Sequence, residues 1–269
     1  MKKEEFKAFI DMINHLDLKV LEHGYLYADS KWNYQNISSP FSRLYLITSG
    51  EGYIENSKQR IILSPGMAYL IPSYTTYNYN CPNKMEKFYI HFRLEYLPGQ
   101  DLFEGFPECQ SKAVDKEWVQ DLITKASSSN LDDLIYCKSL LMKLIGMFAA
   151  YLEKDKWLRS IKKIMKYKSL YEYIENNCYA DITISCIASH MNMSSSTLSK
   201  NFKQDTGGTI KNYIQKKLIQ KAKDYLLLSD LSVKEISYKL RFSDPFYFSR
   251  FFKKHTGMSP IQYRNQNKM

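Results

Sequence analysis

Residues 232–264, SVKEISYKLRFSDPFYFSRFFKKHTGMSPIQYR, decide the fold of the second half of this chain. They contain three helix starts in succession. Ser232 and Glu235 have capping-box spacing, Asp244-Pro245 is an N-cap followed by proline at the first helical position, and Ser259-Pro260 repeats that device. The interval between the first two starts holds one short helix and a tight turn. In the helix that follows, Phe246, Ser249, Arg250 and Lys253 fall at i, i+3, i+4 and i+7 and make one stripe, leaving Phe248, Phe251 and Phe252 to pack. A short helix, a turn and a second helix with a basic, hydrogen-bonding stripe form a helix-turn-helix pattern.

The pattern occurs twice. Fifty positions upstream, Phe202, Lys203, Ser199, Lys200, Thr206-Gly207 and Tyr213 match Phe252, Lys253, Ser249, Arg250, Thr256-Gly257 and Tyr263. Ahead of the turn the offset becomes forty-nine, matching Ile187 to Ile236, Ile184 to Val233 and Thr183 to Ser232. A one-residue change inside the turn with both flanks in register predicts a duplicated unit, at 183–204 and 232–255. Residues 209–228, TIKNYIQKKLIQKAKDYLLL, predict one amphipathic connecting helix about 30 Å long at ~1.5 Å per residue. Major-groove segments on one face of B-DNA lie ~34 Å apart, so such a helix spaces two recognition helices for adjacent turns.

Residues 236–264 closely resemble the signature of the AraC/XylS family of transcriptional regulators, above all in FYFSRFFKKHTGMSPIQYR, and the resemblance runs strongly over 166–264. It implies a C-terminal all-α domain with two helix-turn-helix units that binds double-stranded promoter DNA. It also implies an activator that works with RNA polymerase, and an N-terminal cupin-like β-barrel that senses a small molecule. By the same resemblance, residues at the positions of Ser196, Ser199, Lys200, Phe246, Ser249 and Arg250 approach bases. The chemistry agrees: Arg250 offers two donors to a guanine edge and Phe246 suits a thymine methyl, whereas Lys203 and Lys253 suit phosphates. One departure stands out. Where the family has glycine in the second turn this chain has Arg241, and the first turn has Asn192; asparagine tolerates a left-handed backbone and arginine does so at a cost.

Charge divides the chain the same way. Residues 160–269 carry 19 Lys+Arg against 8 Asp+Glu, while residues 1–158 carry 18 against 20. A basic half joined to a nearly neutral one points to a nucleic-acid-binding domain attached to a domain with another task. Five cysteines, Cys81, Cys109, Cys137, Cys178 and Cys186, show neither CxxC pairs nor zinc spacing, which favours a reducing cytoplasm over a disulfide framework. The first residues, MKKEEFKAFIDMINHL, lack the apolar run of a secretory signal. LLMKLIGMFAAYL is short and interrupted by Lys143, so no membrane span is expected.

In the first half, Phe6, Phe9, Ile10, Ile13 and Leu16 predict a short helix over 4–20. From Tyr25 to Leu97 short β-rich runs (RLYLIT, GYIEN, RIIL, MAYLIP, YNYN, KFYIHFRLEY) separated by Gly/Pro/Asn turns predict a β-sandwich or barrel. The turns at Ser49-Gly50, Pro65-Gly66 and Ile71-Pro72 are similar to those of cupin-like sensor domains in the same family. Alternation puts Lys87, Tyr89, His91 and Arg93 on one face of the last strand and Phe88, Ile90, Phe92 and Leu94 on the other. Either the polar set lines a pocket or it faces outward with the apolar set inside. In the first case Arg43, Tyr45, Tyr79, Tyr89 and His91 form a cavity for a hydroxyl-rich small molecule such as a sugar. There is no HxH pair and His91 stands alone, so no metal, no cofactor and no enzymatic role is expected. Residues 99–115 read as a loop. An apolar stripe over 131–152 predicts a helix that covers the β-domain or forms a homodimer. The expectation is thus an α+β chain: a cupin-like sensor and dimerisation domain with flanking helices at 1–155, and an all-α DNA-binding domain at 156–269.

Overall fold

Hydrophobic period changes along the chain from two residues to 3.6, and the architecture changes with it. The computed structural model describes residues 10, 13, 14, 16–97, 100–149 and 166–267. The chain divides into two compact units, a β-rich one carried by Asp17–Leu94 and Leu102–Leu152 and a mainly helical one carried by Met1–Leu16, Glu95–Asp101 and Glu153–Lys268.

The strands are β1 (Asp17–Ala28), β2 (Asn33–Ser38), β3 (Ser42–Gly50), β4 (Gly52–Glu55), β5 (Arg60–Leu63), β6 (Met67–Ile71), β7 (Thr76–Asn80), β8 (Met85–Leu97), β9 (Gln100–Asp101) and β10 (Gln110–Ala113). One antiparallel sheet has the order β1-β8-β3-β6-β10 with β9 on β8; the other has the order β2-β7-β4-β5. The two pack on a shared core of Ile37, Tyr45, Ile54, Leu63, Tyr69 and Tyr77. Gly50, at φ 66, makes the β3–β4 turn; a Cβ there would lie 2.0 Å from the Lys84 carbonyl oxygen, so only glycine fits.

Three expectations change. Among the described residues no strand pairs across the two sheets, so a closed barrel is not formed. Residues 17–20, assigned to the tail of an N-terminal helix, are the start of β1; Leu18 and Val20 alternate there rather than follow a helical stripe. Ile10, Ile13 and Asn14 are helical, and the rest of 4–15 lies outside the described residues. The stretch 99–115 contributes β9 and β10, the latter pairing antiparallel with β6 from Gln110–Leu70 to Ala113–Met67.

Helices α1 (Lys116–Lys125) and α2 (Leu131–Ala149) follow. Asp115 caps α1, accepting from the Glu117 amide at 2.8 Å. Leu122 of α1 and Leu141 of α2 share a cavity of about 330 Å³ with Phe88 and Ile90 of β8. The face of the six-stranded sheet turned away from the inter-sheet core is therefore covered by helices. That is why Ser42 to Ile47 of β3 are buried without a break.

The helical unit contains α3 (Lys168–Asn176), α4 (Ile184–His190), α5 (Ser195–Thr206), α6 (Ile210–Leu228), α7 (Val233–Lys239), α8 (Pro245–Thr256) and α9 (Pro260–Asn267). The repeat is exact in length, with seven residues in α4 and α7 and twelve in α5 and α8. Thr183, Ser194, Thr209, Ser232 and Asp244 each accept a backbone N–H at a helix start, and Ser232 with Glu235 closes the expected capping box. Gly207 and Gly257 end α5 and α8 at φ 78 and φ 80. Thr206 and Thr256 donate to the carbonyls of Phe202 and Phe252 at 2.7 and 2.8 Å.

α6 is not the single-stripe helix that its sequence suggested. Ile210, Ile214 and Leu218 pack into the core of the first unit, while Ile219, Ala222 and Leu226 pack into that of the second. One helix is thus a wall of both units. Between its apolar faces Lys217 is buried, paired with Glu175 at 3.1 Å and donating to Gln220 at 2.9 Å.

Both turns are built on a left-handed residue, Asn192 at φ 51 and Arg241 at φ 57. In each, the amide of that residue binds a carbonyl three back (Ser189, Tyr238), and the next amide binds one five back (Ala188, Ser237). Arg241 offsets its backbone strain through its side chain, which lies 4.0 Å from the centre of the Tyr179 ring and 3.7 Å from Asp181. Arg241→Ala loses those contacts and keeps the strain, whereas Arg241→Gly loses both. We expect the glycine variant to be more stable than the alanine variant by about 1 kcal/mol in urea denaturation. Equal stabilities would show that the left-handed turn carries no strain.

Candidate DNA-binding surface and ligand site

α5 and α8 are held by their apolar faces. Leu198 and Phe202 on α5, and Phe248 and Phe252 on α8, are buried. The opposite faces carry the residues singled out from sequence. Ser196, Lys200 and Lys203 are exposed on α5, as are Phe246, Arg250 and Lys253 on α8, and Ser199 and Ser249 are half-buried at equivalent positions. Each set of four lies on one helix face. Phe246 is 79% exposed, a large apolar surface left in water on a helix that buries Phe248 and Phe252. Phe251, expected to pack, is half-buried and shared between the cores of the two units.

Local bonding refines these roles. Ser249 Oγ donates to the Pro245 carbonyl at 2.8 Å, which leaves its oxygen free to accept but not to donate. Ser194 Oγ, the cap of α5, lies 3.1 Å from Ser196 Oγ. α8 has no acidic side chain. The one acid on α5, Asp205, accepts from Lys166 at 2.7 Å and from Tyr167 at 2.6 Å, so the outer faces of both helices are positive. The sequence reading passed over Lys254 and Tyr247, both exposed on α8. The basic run Lys253-Lys254-His255 could have pointed to the first; nothing in the spacing marks Tyr247.

In the β-rich unit both faces of β8 are buried, and the 330 Å³ cavity lies on the apolar one, beside Phe88 and Ile90. β3 and β8 pair Arg43 with His91, Tyr45 with Tyr89 and Ile47 with Lys87, three successive rungs on one face. Arg43, Tyr45, Lys87, His91 and Arg93 are all buried, so the polar set is not exterior. Tyr79, from the facing sheet, accepts a hydrogen bond from Arg43 at 2.7 Å, and Ser39 accepts a second. Arg93 turns aside and donates twice to the Pro40 carbonyl at 3.1 Å. Arg43, Tyr45, Tyr79, Tyr89 and His91 are thus gathered in one place.

Two partners were missed. Trp32 stands edge-on to Tyr79 at 5.5 Å and to Tyr45 at 6.5 Å between ring centres. Glu22 on β1 lies 2.9 Å from His91 Nδ1 and accepts from Tyr89 at 3.2 Å; Gly24 makes room for that phenol, since a Cβ would lie 2.9 Å from its oxygen. The hydrogen bond from His91 holds the Glu22 carboxyl below its ordinary range. Burial lowers His91 to about 4, so the imidazole is neutral at pH 7. An ionised Glu22 only accepts; Nδ1 therefore carries the proton, and Nε2 is the acceptor available to a ligand hydroxyl.

A pair of like helix-turn-helix units, each presenting a basic helix, defines a DNA-binding regulator of the duplicated type. A model of the helix-turn-helix domain matches residues 187–266. The Msm operon regulatory protein of Streptococcus mutans is 26% identical over 94% of this chain and 95% of its own length. The arabinose operon regulatory protein of Salmonella typhimurium is 24% identical over 82% of each chain. ToxT from Vibrio cholerae has a like fold over 93% of this chain and 100% of its own, with a TM-score of 0.50 at 11% identity. The matched segment is a helix-turn-helix domain of the AraC type, and over most of its length the chain is similar to transcriptional regulators of the AraC/XylS family.

Proposed function

We propose that this protein is a sequence-specific transcription activator, with residues 156–269 binding double-stranded promoter DNA and residues 1–155 sensing a small hydroxylated molecule, a sugar in the first instance. The observation that carries this reading is the duplicated unit with its two matched outer faces. Ser196, Ser199, Lys200, Phe246, Ser249 and Arg250 face bases, and Lys203 and Lys253 bind phosphates. The 19-residue α6 spans about 28 Å and spaces the two units for successive major grooves, so one chain covers about two turns of DNA. The sensor reading is supported by the buried cluster of Arg43, Tyr45, Tyr79, Tyr89 and His91, which combines ring faces with hydrogen-bonding groups in a cupin-like double sheet. A relative over most of the chain is named for the arabinose operon, which supports a sugar.

A homodimer through 131–152 is supported by Leu131, Leu134 and Ile135, each more than 60% exposed on one side of α2. Activation then follows by placing the dimer beside RNA polymerase in the cytoplasm. Among the described residues no helix is long and apolar enough to cross a membrane. The chemistry of the β-rich unit is that of a binding site rather than of an enzyme.

The test is capture of fragmented genomic DNA on the full-length protein at moderate salt, followed by sequencing. Enrichment of a few sites with paired half-sites about one turn apart supports the reading, and indiscriminate capture overturns it. Lys253→Ala is expected to weaken binding to all sequences alike and to reduce the salt slope by about 1. An unchanged slope in a salt titration would contradict the phosphate role.

A further inference from the structure

We propose that the molecule sensed by the β-rich unit is an anion, a sugar acid or sugar phosphate whose negative group is received by Lys87. This rests on the reading of that unit as a sugar sensor and narrows its ligand class.

Lys87 is only 2% exposed and projects into the core between the sheets. Its ammonium lies 3.3 Å from the centre of the Tyr45 ring and 4.2 Å from that of Trp32. Among the described residues it has neither an ion pair nor a hydrogen bond. The groups that face it are a second cation, Arg43 from β3, and the thiol of Cys81 at the end of β7. Arg43 is itself turned to neutral oxygens, those of Tyr79 and Ser39. The nearest acid of the cluster, Glu22, is engaged at its outer end by His91 and Tyr89, and its side chain is 47% exposed. Lys87 thus stands in a core of aromatic rings with no carboxylate paired to it among the described residues. A buried amine without a counter-charge is costly to keep protonated, and burial accordingly pushes the Lys87 amine well down.

A hydrophobic residue of the same length would pack there at no such cost, so the amine is explained by something it binds. Its partner has to be negative, because the ring faces already satisfy what a neutral ligand could offer a cation. The surrounding chemistry defines the rest of the molecule. On the same face of β8 and β3, His91 Nε2 is placed to accept from a hydroxyl and Arg43 to donate.

The experiment is calorimetric titration of the full-length protein with D-glucose, D-glucuronate and D-glucose 6-phosphate. Glucuronate or the phosphate is expected to bind at least roughly tenfold more tightly than glucose. The two anions distinguish a carboxylate from a phosphate ligand. Lys87→Met should abolish the preference for the anion over glucose. Anions that bind no better than glucose overturn the inference and leave the sensor reading standing. Binding of none of the three overturns both. The wild-type comparison of the anions with glucose keeps the test decisive if the Met variant folds poorly.

Discussion

Phe252→Ala is expected to cost about 3–5 kcal/mol and to remove one half of the DNA footprint. Phe252 is fully buried on α8, with its ring 6.0 Å from that of Phe248 and edge-on to Tyr263 at 5.5 Å. Truncation leaves a cavity where α8, α7 and α6 meet, because Leu226 and Ile236 belong to the same cluster. A domain of this size has a total stability of ~5–15 kcal/mol, so the loss takes a large part of it. The first unit has its own core, in which Phe202 packs edge-on against Tyr167 at 5.0 Å. The variant should therefore keep protection over one half-site and lose it over the other, while urea denaturation shows an early transition. Phe252→Leu, which keeps most of the volume, should restore the second half-site. A Phe252→Ala protein within about 1 kcal/mol of wild type would mean that the cavity collapses and that the core is not the source of the unit's shape.

The helical unit was legible because its signals are local and occur twice. Ser232 and Asp244 cap helices at the predicted positions, and the change of offset from forty-nine to fifty falls just after the left-handed Asn192 and Arg241, between Met193 and Phe242 on one side and the caps Ser194 and Asp244 on the other. α6 was read as amphipathic because periodicity sums over a whole segment. Its two apolar faces serve different cores in succession, and no single stripe describes that. In the β-rich unit the positions of Arg43, Tyr45, Tyr79, Tyr89 and His91 could be proposed from alternation, but their direction could not. Alternation distinguishes in from out only when one face is wet, and here helices cover the far side of β3 and β8. Asp17 to Val20 were misassigned because the helical spacing of Ile10, Ile13 and Leu16 was carried past its end; Leu16, Leu18 and Val20 are spaced by two, as in a strand. Lys87 lay in plain view in the sequence. Only the rings around its ammonium, brought together from the segment before β2 and from β3, distinguish it from a surface lysine.

Arg250→Ala is expected to weaken binding at the cognate site by ~1–3 kcal/mol, a factor of roughly 5 to 150, while changing affinity for random DNA far less. Arg250 is exposed in the middle of α8, one residue after Ser249 and one turn after Phe246, on the face that the core leaves free. No acid on its own helix competes for its guanidinium. A guanidinium presents two parallel donors, which match the O6 and N7 acceptors of guanine in the major groove; a phosphate contact needs only charge. The two roles separate through a second variant. Arg250→Lys keeps the charge and loses the fork, so a base-reading role predicts that lysine fails to restore discrimination, whereas a phosphate role predicts near-complete recovery. A competition titration of each variant between a captured site and the same site with one G·C pair reversed reads the difference directly. If wild type and Arg250→Ala discriminate equally at every position of the site, Arg250 is not a reader, and the sequence choice of the second unit must come from Phe246, Ser249 and the shape of the DNA.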